Sequence, residues 1–309
     1  MTIALIVHGG AGKWRPGSDD EAIAGVKAAV EVGRGILADG GSALDAACAA
    51  AVVLEDNPIF NAGTGGTLNF DGFVELDACL MEGEYSQVGA VSGLQRVKNP
   101  ILVARKVMEE TDHCMLTGEG ALRFARTMGF PDHDPITPER RRDWEDKKAK
   151  LDENMQERAF KTRRFLKQHP EYAGGTIGVV ALDEKGVLAA ATSTGGYTLK
   201  LAGRVGDSPI PGAGNYADKV VGASATGTGE YVMRTLATRQ IADYVRGGMK
   251  LDAAMSRMLD ELGRDYNADV GFIAIDAMGN VAAQHRTESM PHAWFVGDGG
   301  IVARARVPQ

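Results

Sequence analysis

The chain reads as an α+β protein in which antiparallel sheets are layered with helices. Three observations predict this class. Runs rich in β-branched and small apolar residues arrive as adjacent pairs joined by tight turns, at 176–182 with 187–192 and at 271–275 with 281–285. Helical periodicities also arrive in pairs, at 20–37 with 42–53 and at 228–246 with 251–264. The steady strand–helix alternation of a doubly wound parallel sheet is missing.

Taken in order, 3–7 reads as a short buried strand. Ile23, Val26, Ala29, Val30 and Ile36 then recur at helical spacing. Ser42, with Asp45 three residues on, reads as a variant capping box that opens an alanine-rich helix through Val53. Residues 67–81 alternate around Asp71-Gly72, a hairpin signature. An apolar run at 90–94 and helical patterns at 99–109 and 119–128 complete the first half.

Residues 132–173 differ in character. Pro135, Pro138 and Pro170 bracket a run dense in Lys, Arg, Asp and Glu and poor in aliphatics. It reads equally as a solvated helix or a mobile linker, and as an unpromising contributor to the core. At Gly175 the β pattern returns, with Asp183 to Gly186 as the turn of a hairpin and 220–225 as a further strand.

Bulk composition limits the function. With 309 residues, 44% of them hydrophobic, the chain can bury a full core without disulfides or structural metals. A net charge of −7 argues against a nucleic-acid partner. No apolar stretch reaches 18 residues, so no membrane span is expected. The apolar segment at 3–7 is too short for a signal-peptide core and has no basic leader. Three cysteines (Cys48, Cys79 and Cys114) with no CxxC spacing suit a reducing compartment. The expectation is a cytoplasmic enzyme with a small-molecule substrate.

The 40 glycines fall in short clusters at 8–12, 61–66, 194–196 and 226–229, where backbone can approach a ligand closely. Two apparent nucleotide motifs fail. Trp14 follows Gly12-Lys13 where a P-loop needs Ser or Thr, and prolines rather than a strand precede Gly212 to Ala217. His8, beside a glycine cluster, reads as a turn residue. What remains is a constellation: Thr176 after two glycines, Thr192-Ser-Thr194-Gly-Gly, Gly203-Arg204-Val-Gly-Asp207-Ser-Pro, and Thr226-Gly227-Thr228-Gly229-Glu230. Singly each is ordinary, since a threonine opening a strand is a common β-former and paired glycines usually mark turns.

Together, in this order, they resemble the plant-type asparaginase and isoaspartyl peptidase family of N-terminal-nucleophile hydrolases. The resemblance extends over nearly the whole chain, including the leading His8-Gly-Gly-Ala-Gly12, the stretch Leu54 to Gly63, and Glu75 to Met81. It implies a four-layer αββα sandwich made as one precursor and cut between Gly175 and Thr176. The products would be an α chain of 1–175, with 132–173 as its mobile charged tail, and a β chain of 176–309, two such αβ units associating as a dimer. The implied substrates are L-asparagine and β-aspartyl dipeptides, and no cofactor is needed for catalysis.

The chemistry explains why such residues are needed. A threonine hydroxyl is a weak nucleophile until a base takes its proton. An α-amino group titrates near pH 7.7–8.0 and, on the same residue, is already positioned. While Thr176 is internal its nitrogen is an amide, so cutting creates the base. By resemblance Thr194 tunes the nucleophile, Asn61 helps to place it, and Thr226 with the Gly227 N–H holds the oxyanion. Arg204 and Asp207 also make independent sense, as a bidentate fork for an α-carboxylate and a charge for an α-ammonium. Gly229 adds a backbone contact. The segment from Leu54 resembles the family's sodium-binding loop, with the carbonyls of Leu54, Glu55, Asn57, Phe60, Ala62 and Thr64 as ligands.

Two departures bear on this reading. Gly174 stands where many relatives carry His or another polar residue, which puts the speed of self-cleavage in question. Trp14 hints at a bulkier leaving group. A glycosylasparaginase is the rival hydrolase, although Gly195 and Thr228 favour the asparaginase branch. An unprocessed, non-catalytic binding protein on the same scaffold is the rival from outside the enzymes.

Overall fold

The computed structural model describes residues 2–15, 17–152 and 175–306. Among them, 12 strands form two sheets and eight helices pack around them, an α+β fold. The first half contains β1 (Ala4–His8), α1 (Asp19–Ala38), α2 (Ala43–Asp56), β2 (Leu76–Glu82) and β3 (Gln87–Leu94). After these come α3 (Pro100–Glu110), β4 (Met115–Thr117), α4 (Gly118–Thr127) and α5 (Pro138–Asp152). The second half opens with β5 (Ile177–Leu182), β6 (Leu188–Thr194), β7 (Asn215–Ala217) and β8 (Val221–Gly227). It continues through α6 (Gly229–Thr235), α7 (Ala237–Arg246), α8 (Leu251–Tyr266), β9 (Val270–Asp276), β10 (Val281–His285), β11 (His292–Val296) and β12 (Val302–Arg304).

The larger sheet has the strand order β12-β11-β1-β5-β6-β2-β3-β4, and the smaller has β10-β9-β8-β7. All pairings are antiparallel except β3 with β4. Side chains alternate across a strand, and here the alternation serves two cores. Leu5, Val7, Ile177, Val179, Ala189 and Ala191 join α1, α2, α3 and α4 in one. Ala4, Ile6, Val180, Leu182, Leu188 and Ala190 join β8, β9, α6, α7 and α8 in the other. Central strands β1, β5 and β6 are therefore buried on both faces, which is why β1 and β5 are almost wholly apolar, while β6 turns polar at its end, Thr192-Ser193-Thr194. The capping box is present: Asp45 N–H donates to Ser42 Oγ at 3.1 Å, and Ser42 Oγ donates to the Asp45 carboxylate at 2.7 Å.

Three sequence expectations need correction. The hairpin across 67–81 shrinks to one bridge, Leu68 with Val74. Its turn forms around Asn69, whose side chain accepts from Asp71 and Phe73 N–H. The backbone before the turn pairs elsewhere, however, with Leu199 N–H donating to Leu68 O and Phe70 N–H to Lys200 O. The single helix read across 228–246 breaks at Leu236, which is left-handed (φ 48°). The N–H groups of Thr238 and Arg239, which open α7, donate to the carbonyls of Ala213 and Gly212, so tertiary pairing wins over helix continuation.

The third concerns the charged run, whose first part is α5. This helix is packed rather than merely solvated. Trp144 lies against Leu68, Val74 and Leu76, and its indole N–H donates to Asn69 O at 2.8 Å. Residues 153–174, the rest of the expected tail together with Gly174, lie outside the described residues.

Candidate active site

The site forms where the two sheets face each other and central strands end. β6 and β8 each run two residues beyond the predicted strands, so Thr194 is the last residue of β6 and Thr226 the last but one of β8. Thr176 immediately precedes β5, and β5 pairs with β6 in the register Ile177 to Ser193. The next pair outward is Thr176 with Thr194. Accordingly Thr176 Oγ donates to Thr194 Oγ at 3.2 Å, while Gly196 N–H donates to the same oxygen at 2.9 Å.

From the facing sheet comes Thr226. Its Oγ accepts the Thr176 backbone N–H at 3.4 Å and the Ala11 N–H at 3.1 Å. With both acceptor positions used, the Thr226 hydroxyl hydrogen is the part left to point at a ligand. Gly227 follows it as the last residue of β8, opposite Val270. Thr176, Thr194 and Thr226 are all buried.

The glycine cluster after β1 closes over the bond preceding Thr176. A Cβ on Gly10 would lie 2.6 Å from Gly175 Cα and 3.1 Å from Thr176 N, and Gly10 has φ 114°, so only glycine suits this position. Asn61 sits one layer back. Its carbonyl accepts Gly195 N–H at 3.0 Å, its Nδ2 donates to Gly196 O, and its Oδ1 accepts Thr67 N–H at 2.8 Å. Asn61 thus holds the loop that supplies Gly196 N–H to Thr194, and reaches the nucleophile through that loop.

Arg204 and Asp207 form the second half of the site. Arg204 donates through Nε and Nη2 to Glu230 Oε1 at 3.1 and 3.0 Å and lies over the Tyr197 ring. Asp207 is 4% exposed, and its Oδ2 has no hydrogen-bond partner among the described residues. Burial pushes its pKa up to about 7, against the pull of the Arg204 guanidinium. An unpartnered buried carboxylate is costly, and an ammonium group would satisfy it. Gly229 brings the two halves together: a Cβ there would meet Asp207 Oδ1 at 2.4 Å and Arg204 Nη2 at 3.2 Å, three residues after Thr226.

Several supporting residues carried no assigned role in the sequence reading. Glu75 accepts Gly203 N–H through both carboxylate oxygens, at 3.0 and 3.1 Å, and so tethers the loop bearing Arg204. Lys200, fully buried, donates to Glu75 O at 2.8 Å. Asp77 accepts Gly93 N–H at 2.9 Å. Burial raises the Asp77 pKa and lowers that of Lys200, and each charge opposes the shift of the other. His8 is not a turn residue but the buried end of β1, with Nε2 3.1 Å from Ser224 Oγ. Burial pushes its pKa down to about 3 while the Thr176 backbone pulls the other way, so the ring is neutral at physiological pH.

The segment proposed as a cation loop folds back on itself. Asn57 N–H donates to Leu54 O, Phe60 N–H to Asn57 O, and Thr64 N–H to Glu55 O. Phe60 and Ala62 are buried within it.

This geometry agrees with what the chain is similar to. The Asparaginase family matches residues 1–301. A plant-type L-asparaginase of Pyrococcus abyssi is 48% identical over 295 residues, covering 95% of this chain and 96% of the relative. One from Thermococcus kodakarensis is 48% identical over 299 residues, covering 96% and 97%. The isoaspartyl peptidase/L-asparaginase of Homo sapiens is 41% identical over 295 residues, covering 95% and 93%. The chain belongs to the Asparaginase family. Among the described residues, no helix is long and apolar enough to cross a membrane.

Proposed function

We propose that the chain is a self-processing threonine amidohydrolase that releases L-aspartate from L-asparagine and β-aspartyl dipeptides. The observation that carries this reading is the meeting of two groups in one site. The Thr176 hydroxyl lies at 3.2 Å from Thr194, and the half-buried Arg204 and the buried Asp207 offer opposite charges suited to the two ends of an amino acid's head. The names of the relatives favour it over a glycosylasparaginase or a non-catalytic scaffold. Two facing sheets with helices on either side suit the four-layer αββα arrangement of N-terminal-nucleophile hydrolases.

In the uncut chain Thr176 Oγ attacks the Gly175 carbonyl and the acyl group moves from nitrogen to oxygen. Water then hydrolyses that ester, leaving a carboxylate on Gly175 and a free amine on Thr176. The α chain is 1–175 and the β chain 176–309. The freed amine, no longer an amide, takes the proton of its own hydroxyl. Thr176 Oγ attacks the side-chain carbonyl of a substrate whose α-carboxylate rests on Arg204 and whose α-ammonium rests on Asp207. The Thr226 hydroxyl, already accepting two N–H groups, donates to the developing oxyanion together with Gly227 N–H. Collapse expels the amine, which receives the proton held by the Thr176 amine. Water hydrolyses the aspartyl ester and frees Thr176.

A sodium ion fits the loop from Leu54 to Thr64 by donor chemistry, because neutral carbonyl oxygens suit a hard cation. The carbonyls of Leu54, Glu55, Asn57, Phe60, Ala62 and Thr64 would hold it. Its contribution is structural, fixing the loop that carries Asn61. Two αβ units are proposed to associate, and a cytoplasmic setting suits three unpaired cysteines.

The test is a substrate panel: asparagine, a β-aspartyl dipeptide and a glycosylated asparagine, each assayed for released aspartate. Turnover of the first two supports the proposal. Turnover of the glycosylated substrate alone, or of none, contradicts it.

A further inference from the structure

The proton held by the Thr176 amine must reach the departing nitrogen, so that nitrogen lies beside Thr176 N. Before cleavage Thr176 N is bonded to Gly175, and the proposed cut detaches it. The space that Gly175 borders is then next to Thr176 N and open to the remainder of a leaving group. That space is a cavity of about 440 Å³ between the 9–15 loop, Pro58-Ile59 and α5, and it is far larger than ammonia requires. Trp14, Pro58 and Ile59 supply apolar wall, and Lys13, Arg15, Arg140 and Lys147 supply positive charge.

The charges in this cavity are not evenly compensated. Among the described residues its acidic side chains are Glu21, Glu139 and Asp143, and the last two both pair with Arg15. Arg140 donates through Nε to Gly65 O at 2.6 Å and through Nη2 to Ile59 O at 3.2 Å. Among the described residues it has no ion pair, and its Nη1 has no acceptor. Burial and the nearby Arg15 charge both work against its own charge, with Asp143 opposing them. An anion in the cavity would relieve that. The helix that carries Arg140 is anchored separately, through Trp144 packed on Leu68, Val74 and Leu76 and hydrogen-bonded to Asn69 O.

We propose that this cavity is a leaving-group subsite for an amino acid with a free α-carboxylate, and that Arg140 binds that carboxylate. The proposal rests on the hydrolase reading above and narrows its substrate class: among β-aspartyl compounds, the enzyme prefers dipeptides with a free C-terminus. It also gives Trp14 a place, as the wall against which the second residue's side chain packs.

The experiment compares kcat/KM for a β-aspartyl dipeptide and for its C-terminal amide, with asparagine as the substrate that lacks any such group. Wild-type enzyme is expected to favour the free acid by about tenfold or more, mainly through KM, the scale of one charge-assisted hydrogen bond. In Arg140→Gln the acid-to-amide ratio falls towards one, and in Arg140→Lys it is partly kept. Because the ratio is measured within one preparation, loss of folded material cancels. Should Arg140→Gln not fold, the wild-type ratio and the Lys variant still decide. A wild-type ratio near one, or a ratio unchanged in Arg140→Gln, overturns the subsite. Absence of turnover on every substrate, asparagine included, would instead overturn the hydrolase reading.

Discussion

The Thr226 hydroxyl stands 3.4 Å from the backbone nitrogen of Thr176, the atom that would change from amide to amine under the proposed cut. It accepts from that nitrogen and from Ala11 at once, which leaves its own hydrogen free to be donated to the oxyanion in the proposed reaction. Thr226→Val keeps the shape of the side chain and removes the donor. Turnover of asparagine by the cleaved variant is expected to fall by about 10²–10³, the scale of one oxyanion donor. Steady-state kcat measures it, and a loss of less than about threefold would remove Thr226 from the oxyanion site.

The Arg204 charge holds the Asp207 pKa down against burial, and in the proposed reaction Arg204 also receives the substrate's α-carboxylate. Arg204→Ala removes both. The expected cost is about 2–5 kcal/mol of transition-state binding, thirtyfold or more in kcat/KM. Near-normal kcat/KM in this variant would place substrate recognition elsewhere.

Asp207 makes a pH signature. Its pKa, pushed up to about 7 by burial, means that the carboxylate needed for an ammonium is lost as pH falls through that value. Product inhibition by L-aspartate should therefore weaken below about pH 7, by up to about tenfold per pH unit, while the aspartate ammonium stays charged throughout. The inhibition constant across about pH 5–9 reads this directly. A constant that does not vary through that range contradicts the role, and Asp207→Asn should abolish the dependence.

Gly10 lies against the Gly175–Thr176 bond, the proposed point of cleavage. With φ 114° and only 2.6 Å between a Cβ at this position and Gly175 Cα, Gly10→Ala must displace one or the other. Self-cleavage is expected to slow by about tenfold or more, followed as band conversion on a denaturing gel. Cleavage at the wild-type rate would show that the glycine loop does not bear on Gly175.

How much of this was legible in the sequence depended on distance along the chain. Thr176, Thr194 and Thr226 stand in compact glycine-flanked blocks, and the strands that end at them were legible to within two residues. What holds those blocks was not. Ala11 reaches Thr226 across 215 residues, Asn61 reaches Gly196 across 135, and Glu75 reaches Gly203 across 128, with no local pattern to announce any of them. The helix α5 was hidden for a different reason. Its charge density suggests a solvated segment, and the docking rests on Trp144 and on cations hydrogen-bonded to backbone carbonyls, Arg140 to Gly65 O and Lys148 to Phe70 O, which a count of aliphatic residues overlooks. The 67–81 hairpin shows the converse, a correct turn at Asp71-Gly72 attached to a strand pairing that the 199–200 backbone takes over.

The central claim is that Thr176 works only as a chain terminus. Intact mass spectrometry of the purified, active protein, run beside Thr176→Ala, tests it most directly. Two polypeptides are expected from the wild type, the second beginning at Thr176, and one inactive full-length chain from the variant. Full asparagine turnover by a preparation that contains only the uncut 309-residue chain would contradict the account.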